Sequence, residues 1–527
     1  MRDFQKPGRS PVYATTAAVA TSHPLASLAA IECLRTGGNA VDAAITAAAT
    51  LAVVEPHMTG VGGDCFALYK PANGELVALN GSGRACAGAT IEAMTSQGLT
   101  KIPGDSPHAV TIPGAVAGWC LLHDTYGRKP LDELMRPAIG YAENGYPIAP
   151  RVAADWAREA GRLQHNAAAK AAMLPGGAAP AVGSLHRQPR LAQTLRTIGA
   201  KGMKGFYEGE VAADIVAALR ALGGLQTEED FAAAAADFVT PISTRYRDVE
   251  VWECPPNGQG VIALLILNIL ARFDLSSANL SEADRVHLLA EATRQAYFQR
   301  DLLIGDPRHL GLPVETILSD RFAADLATRV TMEATGTAAP WDEVEHRDTV
   351  CFSVVDGDGN AVSFINSLFN AFGSAIMAPG SGVMLQNRGQ SFRLEEGHPN
   401  ALAPGKRPMH TIIPGMVMKD GEAVMPFGVM GGQYQATGHA GFLSGVFDRG
   451  LDPQAAIDAP RSFCFGGELQ LEQGFAPETI DSLKARGHAI TMVAAPHGGG
   501  QAVMIDRRAG VLIAGSDPRK DGCALGY

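Results

Sequence analysis

The sequence predicts an α+β fold. Helical patterns dominate the first part of the chain, and strand patterns dominate the part after residue 349. Between them lies a polar, structureless stretch, 336–348 (GTAAPWDEVEHRD), which reads as a linker. The 527 residues are 46% hydrophobic and 18% charged, enough apolar material for a large core. The net charge of −11, with no basic block, argues against nucleic acid or an anionic membrane surface as a partner.

The elements follow in order. Residues 18–60 carry two Ala/Leu-rich runs at helical spacing, with Gly37 and Gly38 between them as stop and turn. VGGDCFALYK and GELVALN then read as short strands, joined by the turn Ala72-Asn73-Gly74. From about 115 to 330 the pattern is mostly helical, in five runs that end with ADRVHLLAEATRQAYFQRDLLIG. Residues 174–183 (LPGGAAPAVG) and 255–260 (PPNGQG) read as loops. Past the linker, TVCFSVVD, NAVSFINSLF, GVMLQN, EAVMPFGVM and QAVMIDRRAGVLIAG read as strands. No internal repeat is present.

Several classes drop out. The most apolar stretches, 43–54 and 262–270, fall short of the ~18 residues that a membrane span requires. Two prolines interrupt the first twenty residues, where a signal peptide needs a continuous apolar region, so a cytoplasmic protein is expected. Eight scattered cysteines form no CxxC pair, which argues against a zinc site or a disulfide framework. The dinucleotide fingerprint, the P-loop, HExxH, GxSxG and SxxK are all missing, and no cofactor or metal is expected.

Chemistry concentrates in 348–373, DTVCFSVVDGDGNAVSFINSLFNAFG. Two β-prone runs flank the turn signal Asp356-Gly357-Asp358-Gly359-Asn360. A hairpin symmetric about Asp358 sets Thr349 opposite Ser367, so that two hydroxyls meet across the strand pair. Taken alone, the spacing favours a plain hairpin with Thr349 and Ser367 as ordinary strand residues. A second feature is Gly431-Gly432, between the apolar run AVMPFGVM and a helix-like stretch from Tyr434. Adjacent glycines there serve either as a tight turn with positive φ or as an oxyanion hole with free N–H groups.

These blocks resemble the γ-glutamyltransferase family of N-terminal-nucleophile hydrolases, nearly end to end. The likeness rests on GGNAVDAA (37–44), VEPHMTGVGG (54–63), TIPGAVAGW (111–119) and RDLLIGDPR (300–308). It continues through TVCFSVVD (349–356), GKRP (405–408), the 431–432 glycines and the C-terminal SDPR…GY. The resemblance implies a four-layer αββα sandwich in one large domain. It also implies autocleavage between Asp348 and Thr349, giving a helix-rich piece, 1–348, and a piece, 349–527, that opens on the nucleophile. The two fragments then form a heterodimer, with a dimer of heterodimers as a further possibility. Thr349 is implied as nucleophile, with its own α-amine as base once it is an N-terminus. Ser367 is its implied hydroxyl partner, and Gly431 and Gly432 the implied oxyanion hole.

Departures from the family pattern bear on the substrate. Phe369 and Ser391 fall where γ-glutamyl enzymes carry the Asn and the acid that hold an α-ammonium. Arg388 takes the place of a glutamine between them, and His410 and Thr411 replace paired serines. The carboxylate-binding arginine is expected near Arg84, although an ungapped match puts Ser82 at its position. The segment after Phe392 is shorter than the family's lid loop. Lost cation-binding groups and gained cationic ones suit a small acidic amide without an α-amino group, since an arginine fork pairs well with a carboxylate. Arg388 also fits an internal salt bridge, and His410 and Tyr434 also fit structural roles. The pattern is closest to a branch of the family that includes cleavage of oxamate to oxalate and ammonia. A γ-glutamyl hydrolase or transferase, a glutaryl-type acylase, and an unprocessed non-catalytic scaffold are the alternatives.

Overall fold

Long apolar strands without polar alternation must be covered on both faces. All six residues of Val350–Val355 and all seven of Ala361–Ser367 are buried. In the computed structural model, which describes residues 8–336 and 349–527, these strands lie at the centre of a seven-stranded antiparallel sheet. Its order is Cys523–Gly526, Ala18–Thr21, Val350–Val355, Ala361–Ser367, Asp64–Lys70, Val77–Gly81, Asp237–Val239. A second seven-stranded antiparallel sheet runs Val12–Ala14, Val511–Ser516, Gly499–Asp506, Glu422–Met430, Gly415–Lys419, Val249–Glu253, Ile242–Tyr246. Apart from Gly336, the expected linker, Asp348 included, lies outside the described residues.

The two sheets stack face to face. Three side chains of the first sheet donate hydrogen bonds to backbone carbonyls of the second. Cys351 Sγ reaches the Gly499 carbonyl at 3.6 Å, Ser353 Oγ reaches Gln501 at 3.3 Å, and Ser363 Oγ reaches Phe427 at 2.7 Å. Helices cover both outer faces. Pro24–Arg35, Ala40–Val54 and Ala115–Tyr126 lie on the first sheet; Gly260–Leu270, Gln435–Phe447 and Pro453–Asp458 lie on the second. The result is the four-layer αββα sandwich.

Each half of the chain completes the other. Strands from before residue 260 flank Val350–Ser367 on both sides, so the two parts share one core. Ala40–Val54 is buried along all fifteen residues, and Asn39 and Asp42 close its N-terminus as a capping box. At ~25 cal/mol per Å² of apolar surface, burial on this scale holds the layers without any cross-link.

Three sequence expectations need correction. Ala18–Thr21 is a strand rather than the start of a helix, because its four buried residues fill the slot between Val350–Val355 and Cys523–Gly526. Residues 237–253, inside the region read as helical, form three strands: Asp237–Val239 at an edge of the first sheet, Ile242–Tyr246 at an edge of the second, and Val249–Glu253 next to the latter. Residues 382–387 (GVMLQN) are not a strand, and only Met384 makes an isolated bridge, to Met377.

Glycines at 62 and 63 are required by close approach. A Cβ on Gly62 would lie 2.1 Å from the Met384 carbonyl oxygen, and one on Gly63 2.2 Å from that of Ser367. Backbone carbonyls in a sheet cannot yield as a side chain can. Gly63→Ala is therefore expected to cost about 1–3 kcal/mol, read as a lowered denaturation midpoint; an unchanged midpoint contradicts the close approach.

Candidate active site

The hairpin register brings the first two groups together. Val350 pairs with Asn366 and Val355 with Ala361, the arithmetic expected from symmetry about Asp358. One step outward, the hydroxyls of Thr349 and Ser367 lie 3.1 Å apart, and both residues are fully buried. Ser367 Oγ also accepts the amide of Phe369 at 2.9 Å. Phe369 follows in a left-handed turn at φ 80°.

The glycine turn sits across the sheet interface. Cys351 lies over Gly499 and Ser353 over Gln501, while Met430 pairs with Gly499. Thr349 and the Gly431–Gly432 turn thus each lie just beyond the ends of strands that face one another across this interface. Gly431 (φ 130°) and Gly432 (φ 58°) both have positive φ, and a Cβ on Gly431 would lie 2.7 Å from Gly498 Cα. Among the described residues, neither amide N–H donates to another protein group, while both carbonyls are engaged. The Gly431 carbonyl accepts Tyr434 N at 3.1 Å, and the Gly432 carbonyl accepts Gln259 Nε2 at 3.2 Å. Two amides left free by left-handed glycines form a concave donor pair for an anion.

Asp64 organises the wall beside Ser367, its partner across the sheet. Its buried carboxylate accepts Gly83 N at 2.8 Å, Gly114 N at 3.1 Å, Gln386 Nε2 at 2.9 Å and His410 Nε2 at 3.1 Å. The other His410 nitrogen, Nδ1, accepts Ile412 N at 3.3 Å, which fixes the neutral tautomer. Burial first, and the Arg388 charge second, push the His410 pKa down to about 4.

Arg388 is fully buried, its guanidinium carbon 3.7 Å from the centre of the Phe369 ring, and it donates to Thr411 Oγ1 at 3.1 Å. Ser391 Oγ lies 3.0 Å from the carbonyls of Arg388 and Met409. A cleft of about 310 Å³ opens beside these groups, lined by Phe369, Ser391, Gln433, Lys101 and Arg393.

Two expected residues stand elsewhere. Arg84 lines a different recess, with Asp230 and Pro404, and its ion pair with Asp237 is 3.5 Å long. The Tyr434 ring packs flat on His497 and edge-on to Phe463. Sequence reasoning missed Asp64, Gln259, Arg300 and Gln433. The one signal for Asp64 was an acid opening a strand whose next five residues, Cys65 to Tyr69, are hydrophobic.

Comparison with known proteins follows this geometry. The gamma-glutamyltranspeptidase family model matches residues 26–527. The glutathione hydrolase-like YwrD proenzyme of Bacillus subtilis is 37% identical over 98% of this chain and 99% of its own length. The oxamate amidohydrolase proenzyme of Klebsiella pneumoniae is also 37% identical, over 96% of this chain and 97% of its own. The crystal structure of cephalosporin acylase from Bacillus halodurans superposes with a TM-score of 0.93 at 39% identity, covering 100% of this chain and 99% of that one. No helix among the described residues is long and apolar enough to cross a membrane.

The depressed His410 pKa links stability to pH. Between pH ~6.5 and ~4 the unfolded chain binds a proton on this histidine that the folded chain refuses. Stability is thus complete above pH ~6.5 and falls towards pH 4, by roughly 3 kcal/mol for this group at ~1.4 kcal/mol per pKa unit. His410→Gln is expected to flatten the pH dependence of the denaturation midpoint over that window; an unchanged slope contradicts the buried neutral imidazole.

Proposed function

The chain belongs to the gamma-glutamyltranspeptidase family, whose members are N-terminal-nucleophile amidohydrolases and transferases, and we propose that it hydrolyses a small carboxylate-bearing amide through Thr349. The observation that carries this reading is the buried Thr349–Ser367 hydroxyl pair, together with the two free amides of the Gly431–Gly432 turn.

Maturation breaks the Asp348–Thr349 bond and leaves fragments of 348 and 179 residues, held together as a heterodimer by their shared core. The hydroxyl of Thr349 attacks the preceding carbonyl, and water opens the resulting ester. The freed α-amine, with a reference pKa of ~7.7–8, then takes the hydroxyl proton as Oγ attacks a substrate amide. Gly431 and Gly432 N–H hold the tetrahedral oxyanion, one such donor being worth ~3–4 kcal/mol. Collapse gives the proton to the leaving nitrogen and leaves an acyl ester on Thr349. Water, with the same amine as base, releases the acid. Ser367 orients the nucleophile by its 3.1 Å contact.

The acyl pocket favours an anion. Neither Phe369 nor Ser391 offers negative charge to an α-ammonium. Arg388, held by Thr411 and Phe369, is assigned the substrate carboxylate, because the fork of N–H donors on a guanidinium matches the two oxygens of a carboxylate. Oxamate is the leading substrate. A second reading, a glutaryl-type acylase, is favoured by the cleft of about 310 Å³, which has room for a longer acyl chain.

Ammonia release from oxamate, and nitroaniline release from glutaryl- and γ-glutamyl-4-nitroanilide, test the proposal. Turnover of oxamate or the glutaryl amide, with the γ-glutamyl amide at least tenfold slower in kcat/KM, is expected. A preference for the γ-glutamyl amide contradicts the anion-selective pocket. Arg388→Gln is expected to raise KM for the preferred substrate tenfold or more with kcat within about threefold; unchanged kinetics remove Arg388 from substrate binding. Ser367→Ala is expected to lower kcat by ~10–100-fold; an undiminished kcat removes Ser367 from the chemistry.

A further inference from the structure

The loop at 255–260, PPNGQG, lies between the substrate wall and the glycine turn, and nothing so far gives it a role. Its centre is Gln259, fully buried at the start of the apolar helix Gly260–Leu270. The Gln259 carboxamide makes three contacts. Nε2 donates to the Thr411 carbonyl at 2.9 Å and to the Gly432 carbonyl at 3.2 Å, while Oε1 accepts Arg300 Nη1 at 3.0 Å. The same Arg300 nitrogen also reaches Gln433 Oε1, and Tyr297 Oη donates to the Gln433 carbonyl. The loop backbone is tied to the substrate wall as well. Gln259 N donates to the His410 carbonyl at 2.9 Å, and His410 N to the Asn257 carbonyl at 2.8 Å.

We propose that Gln259 is a positioning residue for the oxyanion site, holding the Gly431–Gly432 turn in its left-handed conformation and in register with the wall that carries His410 and Thr411. Two carbonyls and one guanidinium demand a group with two N–H donors and one acceptor, and a primary carboxamide is the side chain that supplies both. Left-handed φ at two successive residues is accessible to glycine but not enforced by it. The Gly432 carbonyl accepts Gln435 N from within the turn and Gln259 Nε2 from a separate segment, and the second contact ties the turn to the wall and keeps the free amides aimed. A preorganised donor pair acts when charge develops, so a loosened turn loses transition-state binding rather than substrate binding.

This inference rests on the amide-hydrolysis reading, and its test separates the two. Gln259→Glu keeps length and the Arg300 contact but presents acceptors to two carbonyls; Gln259→Met removes the polar group at similar size. Kinetics are read on mature protein with oxamate or glutaryl-4-nitroanilide, whichever the wild type turns over. Both variants are expected to lower kcat by ~10–100-fold with KM within about threefold. Arg300→Lys, which keeps a donor to Oε1, is expected to lose less than either. Equal or larger effects on KM, or unchanged kcat, overturn the assignment. So does failure of both Gln259 variants to mature, because that places the residue in folding or processing rather than in the mature turn. If the wild type turns over neither substrate, the amide-hydrolysis reading falls first and the inference with it.

Discussion

A single buried carboxylate holds the site together. Asp64 has no exposure to solvent, so its carboxylate oxygens must be met by donors from the protein. Four donors come from four separate segments, at Gly83, Gly114, Gln386 and His410. Two of those segments carry site residues one or two positions on, Thr411 after His410 and Arg388 after Gln386. Asp64 itself pairs with Ser367 across the sheet. Geometry at the hydroxyl pair and geometry at Arg388 and Thr411 are therefore fixed from one point.

Close approach of backbones is the second constraint. Gly62 and Gly63 let the start of Asp64–Lys70 press against the Met384 and Ser367 carbonyls, and Gly431 passes Gly498 with no room for a Cβ. Side chains at these positions would push the hydroxyl pair and the glycine turn apart. The sheet interface supplies the alignment between them, through the contacts of Cys351 and Ser353 with the second sheet. Strands carry or adjoin the hydroxyl pair, while turns carry the glycine amides. This division suits a reaction whose barrier is lowered mainly by fixed dipoles.

Much of this was legible in the sequence where the signal was local. The turn Asp356–Asn360 and its flanking apolar runs were enough to pair Thr349 with Ser367, because a two-residue period leaves little freedom of register. The glycine pair was equally visible. Ala18–Thr21 was not, since three small apolar residues and a threonine beside a helix carry no period of their own. Asp64 and His410 are 346 positions apart, and Gln259 meets Gly432 across 173, so no window of sequence could join them. Arg84 shows the converse. Neighbourhood in a motif suggested a substrate contact, while the fold turned the side chain towards Asp237.

The central claim is that Thr349 becomes an N-terminus. Intact mass combined with N-terminal sequencing of the purified, incubated protein tests it most directly. Two fragments are expected, of 348 and 179 residues, the smaller beginning Thr349-Val350-Cys351. A single chain of 55.1 kDa, or a smaller fragment that begins at any other residue, would contradict it.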